Sequence, residues 1–337
     1  MSSIPYPLDP MGSTNRGPYF ELVVKPGILG NSLTYGFTPY WNAGGYCKVV
    51  DWGDGSNEDA VTSGALITHT YAAAGTYTIL IKADCYRFQF GVVPNHELVY
   101  DSNGNWDALG NITTGDGMFP NCINAVFNFS ELPKGMTISS YMFFNCKKAT
   151  LPLTSLPPGL TNAAGMFFYC PKAQLDLQEL PASLSGSIST MFYHCIKAKL
   201  NFTTLPNGIT SAHSTFRDCY EAELPITSLP ESLVTMTGIF EACKKARIHL
   251  TRLPDGISGS LIVAFANAPL AEINLDDLTA NAPEGGWTNI TNIERMFQNA
   301  GSGNSPGTVT GSRSAFLAKL PNVTNTTNAF YGTNTTE

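Results

Sequence analysis

The residues best equipped for chemistry in this chain are its cysteines, a pair of acidic turn residues and its histidines. Six of the eight cysteines (Cys122, Cys146, Cys170, Cys195, Cys219 and Cys243) occupy one position of an internal repeat. Stacked repeats would place them in a column about 4.8 Å apart, with parallel Cβ vectors poorly suited to the roughly 90° dihedral of a disulfide. In later copies the position is taken by Ala268 and Ala300, so a column of buried free thiols acting as small apolar groups is expected. No second ligand cluster accompanies the column, which argues against a metal site. Cys47 and Cys85 flank two strand-like segments that an antiparallel arrangement would bring together, and both a bridge and two free thiols remain open. Asp51 and Asp54 suit either weak calcium ligation or Asp-Gly turn chemistry. His69 belongs to a turn motif, and His194, His213 and His249 fall at unrelated positions. No Ser-His-Asp or Cys-His pattern, carboxylate pair or phosphate loop appears, so no catalytic residue, no cofactor and no enzyme activity is expected.

These residues sit on a chain whose bulk properties exclude several classes. Charged residues make up only 13% of 337, and the net charge is −7, which leaves no basic footprint for displacing phosphate counterions. Nucleic acid is therefore not an expected partner. No run approaches the eighteen apolar residues of a membrane span, so no membrane insertion is expected. The first twenty residues lack the basic and apolar regions of a secretory leader.

The elements that position the cysteines are legible as a repeat. Met142-Phe-Phe-Asn-Cys-Lys-Lys-Ala149 returns as Met166-Phe-Phe-Tyr-Cys-Pro-Lys-Ala173 and Met191-Phe-Tyr-His-Cys-Ile-Lys-Ala198. Its phenylalanines, Phe119, Phe143, Phe167, Phe192, Phe216, Phe240 and Phe265, are 24 or 25 residues apart, and Phe297 and Phe330 follow after longer gaps. After each cysteine an alternating run such as Ala173-x-Leu175-x-Leu177 predicts a short strand with one buried face. Leu-Pro pairs at Leu132, Leu156, Leu180, Leu205, Leu229 and Leu253 predict corners, because proline removes a ladder donor. One repeat buries too little apolar surface to offset its own chain entropy, so the copies must stack and be capped. Residues 92–117 are the expected N-terminal cap, and insertions at Ala280–Trp287 and Gly301–Ser312 are expected to form loops.

The repeat pattern resembles the BspA-like leucine-rich repeats of bacterial surface proteins and is similar to Met-Phe-rich surface repeats of mycoplasmas. Upstream, Tyr46-Cys-Lys-Val-Val-Asp-Trp-Gly-Asp-Gly-Ser56 and His69-Thr-Tyr-x-x-x-Gly-Thr-Tyr77 closely resemble the two hallmark motifs of the PKD domain, an immunoglobulin-like β-sandwich. The fold expected is thus mainly β: an arm over 1–17, a PKD-like sandwich over 18–91, a linker and cap over 92–117, and a leucine-rich-repeat solenoid of 24–25-residue repeats over 118–337.

Both resemblances imply display and binding. The position after the key phenylalanine carries Phe144, Phe168 and Tyr193, and the position two after the cysteine carries Lys148, Lys172 and Lys197. As exposed columns these would bind sugar rings or acidic glycans through aromatic faces and ammonium groups. Alternatively, the rings pack under a loop and the lysines form a solvated edge. The absent leader favours a phage virion protein, assembled in multiple copies on the particle exterior. Its expected partners are capsid or tail proteins and a host-surface protein or glycan. A secreted or surface-attached bacterial adhesin is the alternative.

Overall fold

The computed structural model describes residues 18–28, 30–90, 99–302 and 307–337. The expected arm over 1–17 and residues 92–98 of the expected linker lie outside them. Strands hold 23% of the chain and helices 5%, so the fold is β-rich.

The first part is antiparallel. Strands β1 (Phe20–Val24), β3 (Tyr46–Asp51), β5 (Tyr77–Asp84) and β7 (Val99–Ser102) form one sheet in the order β3-β5-β1-β7. Strands β2 (Thr34–Tyr40), β4 (Ile67–Thr70) and β6 (Arg87–Gln89) form a second in the order β4-β2-β6. Alternation along β1 buries Phe20, Leu22 and Val24, which share a core with Tyr35, Phe37, Ile79, Ile81, Phe88 and Phe90. The Tyr35 hydroxyl donates to the Phe90 carbonyl at 2.8 Å, satisfying a group that burial would otherwise leave unpaired. Pairing of β7 with β1 carries this unit to Ser102, past the expected boundary at residue 91.

From Phe119 onward the chain coils. In each coil the key phenylalanine donates its N–H, at 2.8–3.0 Å, to the carbonyl of the residue preceding the phenylalanine of the next coil, from Phe119 to Met142 through to Phe297 and Ala329. The rings stack in one file. Phe90, Phe119, Phe143, Phe167, Phe192, Phe216, Phe240, Phe265, Phe297 and Phe330 follow one another at 5.2–5.9 Å with planes 3–26° apart. The corners follow the Leu-Pro pairs. Each proline carbonyl accepts the N–H three residues on, as in Leu160 to Pro157 and Ile209 to Pro206, so a buried Met, Leu or Ile closes a turn.

Strands in the coils are shorter than the alternating runs suggested. β8 (Asp176–Leu177), β10 (Lys199–Leu200), β12 (His249–Leu250), β14 (Glu272–Asn274) and β16 (Val309–Thr310) pair in parallel with adjacent coils. A second parallel set, β9 (Ser185–Ser187), β11 (Gly208–Ser211), β13 (Gly259–Ser260) and β15 (Ile290–Asn292), lies on the return path. These Ser- and Gly-rich segments carry little period-two signal, because neighbouring coils rather than side-chain alternation bring them into register. Helices flank the two insertions, and β16 lies inside the second. Helices α1 (Leu275–Ala280) and α2 (Arg313–Leu317) pack together, and Trp287 is buried with its indole N–H on the Pro254 carbonyl.

The stack is capped by the first unit itself. Phe90, just past β6, donates its N–H to Met118 at 2.8 Å and lays its ring on Phe119. Arg87 forms a parallel bridge with Thr114. The expected cap over 92–117 contributes a short 3₁₀ turn whose Trp106 wedges between Phe20 and Phe129.

A feature unforeseen in the sequence recurs in all nine coils. The residues two before and two after the key phenylalanine have positive φ, at 48–61° and 53–73° respectively. Glycine or asparagine tolerates this conformation, whereas other residues pay about 1–2 kcal/mol. Asn121, Asn145, Asn267 and Asn299 occupy the later position, and Asn145 donates to Asn121 at 2.7 Å and Asn299 to Asn267 at 3.0 Å. Ala242 interrupts that series at φ 58°. Ala242→Asn is therefore expected to raise unfolding stability by about 1 kcal/mol, and Ala242→Val to lower it by at least as much. Urea denaturation midpoints of the two variants check this.

Candidate functional site

The stacked cysteines are all buried and unbridged. Five of them do more than fill space. Cys146, Cys170, Cys195, Cys219 and Cys243 donate their S–H, at 2.8–3.1 Å, to the carbonyl of the key phenylalanine in the preceding coil. Burial pushes these thiols up, Cys219 to about 12, so they stay protonated, and full enclosure keeps reagents from them. Ala268 and Ala300 keep the size without the donor.

Asp51 and Asp54 organise a turn. Asp51 Oδ1 accepts the N–H groups of Gly53 at 2.6 Å and Gly55 at 3.0 Å. Asp54 Oδ1 accepts from the Ser56 hydroxyl and N–H, and its Oδ2 lies 2.7 Å from His69 Nε2. The His69 ring is stacked on Trp52 and meets Tyr71 edge-on. Both carboxylates are thus engaged by N–H and O–H donors of the turn and by His69. The calcium candidates are turn residues.

The coil edge is where side chains accumulate. Phe144 stacks on Phe168 at 5.2 Å and Phe168 on Tyr193 at 4.9 Å, with planes 15° and 11° apart. One residue further along the turn, Tyr169 stacks on His194 at 4.5 Å, and Tyr220 meets His194 edge-on at 6.3 Å. Tyr141, 47% exposed, lies edge-on to Phe144. Seven rings thus line the edge of four successive coils, all half-buried apart from Tyr141. Because the column rings cover one another's faces, the strip offers mainly ring edges. Sugar stacking needs an open face, so the expected mode of glycan binding through Phe144, Phe168 and Tyr193 does not fit their packing.

The expected lysine column also stands apart from the rings. Lys148 and Lys172 are exposed, and Lys148 donates to Asn124 at 3.2 Å. Lys197 pairs with Glu221 at 2.6 Å. The cations over the strip are Lys147 on Tyr169, Arg217 on Tyr193 and Lys244 on Tyr220, at 4.7–5.7 Å. Arg217 is itself paired with Glu241 at 3.1 Å. Tyr141, Tyr169, His194, Tyr220, Lys147, Arg217 and Lys244 were missed by the reading of columns. For Tyr169 and His194 the signal is the aromatic run in Met166-Phe-Phe-Tyr and Met191-Phe-Tyr-His.

Concavities of about 490 and 460 Å³ open beside Cys85 and beside Phe202. Comparison with protein-family models, curated proteins and solved structures finds no match for this chain.

Two carboxylates give opposite pH responses. Hydrogen bonds from Ser56, with His69, hold Asp54 down from 3.8 to about 2. Its stabilising contribution is complete above the ordinary carboxylate range and is lost as pH falls through about 2. Burial raises Asp101, whose oxygens accept from Ser102 and Asn128, from 3.8 to about 6. Stability is then lost as pH rises from about 4 to 6, by about 1 kcal/mol once solvent screening is allowed for. Asp101→Asn is expected to abolish that decline, read as urea midpoints measured across this range.

Proposed function

We propose that this chain is a non-enzymatic binding and structural protein, displayed in multiple copies on the exterior of a phage virion as a capsid decoration or tail-associated component. In this reading the first unit is a PKD-like, immunoglobulin-type sandwich and the coils are a leucine-rich-repeat solenoid of the BspA-like class. The observation that carries it is the aromatic strip of Tyr141, Phe144, Phe168, Tyr169, Tyr193, His194 and Tyr220. Tyrosine-rich, arginine-bearing surface of this kind is typical of protein interfaces. Closed ring faces favour a protein partner, another virion protein or a host-surface protein, over a sugar. Eight free thiols support assembly in a reducing compartment, where virion proteins are built. The resemblance of the repeats to bacterial surface proteins sustains the second reading, a secreted or surface-attached adhesin.

Mass spectrometry of gradient-purified particles is expected to find the chain in several copies per particle. Recovery in the cell-envelope fraction alone would establish the adhesin. Tyr141→Asn, Tyr169→Asn and His194→Asn all lie at positive-φ positions that asparagine tolerates. Combined, they are expected to leave folding intact and weaken partner retention about tenfold or more, whereas alanine at Lys148, Lys172 and Lys197 changes it little.

A further inference from the structure

Cys47 and Cys85 differ from the six stacked cysteines in where they stand: on two paired antiparallel strands, with Cys85 at the wall of a concavity. In the antiparallel pairing of β3 with β5, Cys47 stands opposite Ala83 and Tyr46 opposite Asp84. Cys85 therefore leaves the end of β5 beside the strand that carries Cys47. Its S–H donates to the Tyr46 carbonyl at 3.4 Å, next to Cys47 in the chain, and by the strand register Cys85 follows two residues after the partner of Cys47, on the same face. Both are buried, yet Cys85 lines the 490 Å³ concavity between Asn42–Gly45 and Asn111. The stacked thiols are fully enclosed, and five of them are engaged by carbonyls of the preceding coil.

We propose that Cys47 and Cys85 form a redox pair that closes to a disulfide when the folded protein meets a small-molecule disulfide, while the six stacked cysteines stay reduced. The Cys85 thiolate attacks one sulfur of the small disulfide from the concavity. The small S–S bond breaks, and one small thiol leaves with the proton that Cys85 gave up. The Cys47 thiolate then attacks the Cys85 sulfur of the mixed disulfide and expels the second small thiol, which takes the Cys47 proton. Two protein thiols are oxidised and one small disulfide is reduced to two thiols. The hydrogen bond with Cys47 and burial push the Cys85 thiol well up, so exchange is slow at neutral pH and quickens as pH rises.

The bond would staple the first unit where it meets the coils, because the Cys85 N–H is held by the Leu109 carbonyl at 2.9 Å. Its occasion, passage from a reducing site of assembly to an oxidising exterior, rests on the proposed display; the chemistry does not.

The test uses the reduced full-length protein, incubated with hydroxyethyl disulfide at mildly alkaline pH without denaturant, then alkylated and peptide-mapped. Free thiols are expected to fall from eight to six, with one bond joining Cys47 to Cys85. Cys47→Ala and Cys85→Ala each lose that bond and form no other. Retention of all eight thiols, or a bond to any stacked cysteine, overturns the proposal. Because the isolated chain suffices, failure here leaves the particle assay intact, and absence from particles leaves this result intact.

Discussion

The file of stacked phenylalanines is the interaction on which the rest of the structure depends. Each ring is buried only because another covers it on either side, and each backbone N–H beside a ring is satisfied only by the next coil. No coil is complete alone, so stability is a nearest-neighbour sum and the ends become the weak points. The first unit resolves one end by presenting Phe90 as though it were a coil, with the same N–H to carbonyl bond and the same ring contact. Phe20 and Phe88 extend the aromatic core behind it.

That file also dictates the residues around it. The chain must turn sharply on both sides of each ring, and two positive-φ residues per coil accomplish this. Such backbone strain is tolerated where surrounding structure over-determines it, as the ring stack and ladder do here. The space beneath the turn is small, and the following position is cysteine or alanine in the first eight coils, Thr333 taking it only in the last, more open one. At Phe143, Phe192 and Phe216 cysteine adds a donor to a carbonyl already accepting one backbone N–H, tying consecutive coils by a second route.

Where the core constrains, the edge is free to vary. Positions one and two after the ring project outward, so they hold phenylalanine, tyrosine, histidine, arginine, aspartate or glutamine without disturbing the file. Over three coils they collect five of the strip's seven rings, and over others asparagine or acidic residues. A scaffold with an invariant interior thus carries a surface that can be specialised coil by coil.

Much of this was written in the sequence. Spacing of 24 or 25 residues identified the buried phenylalanines, the cysteine column and the Leu-Pro corners, because each depends only on a residue type recurring at one place in a periodic path. The Asp-Gly turn of the first unit was likewise local: Asp51 and Asp54 bond to groups within four residues, apart from His69. Tertiary structure alone decided what lies between columns. Lys147 rather than Lys148 covers a ring, Phe144 and Phe168 spend their faces on each other, and Phe90 joins the file across the boundary between units. Spacing tells which residues share a column, but direction within a turn is set by φ. A positive φ beside each ring redirects the side chains that follow, and a period cannot record that change.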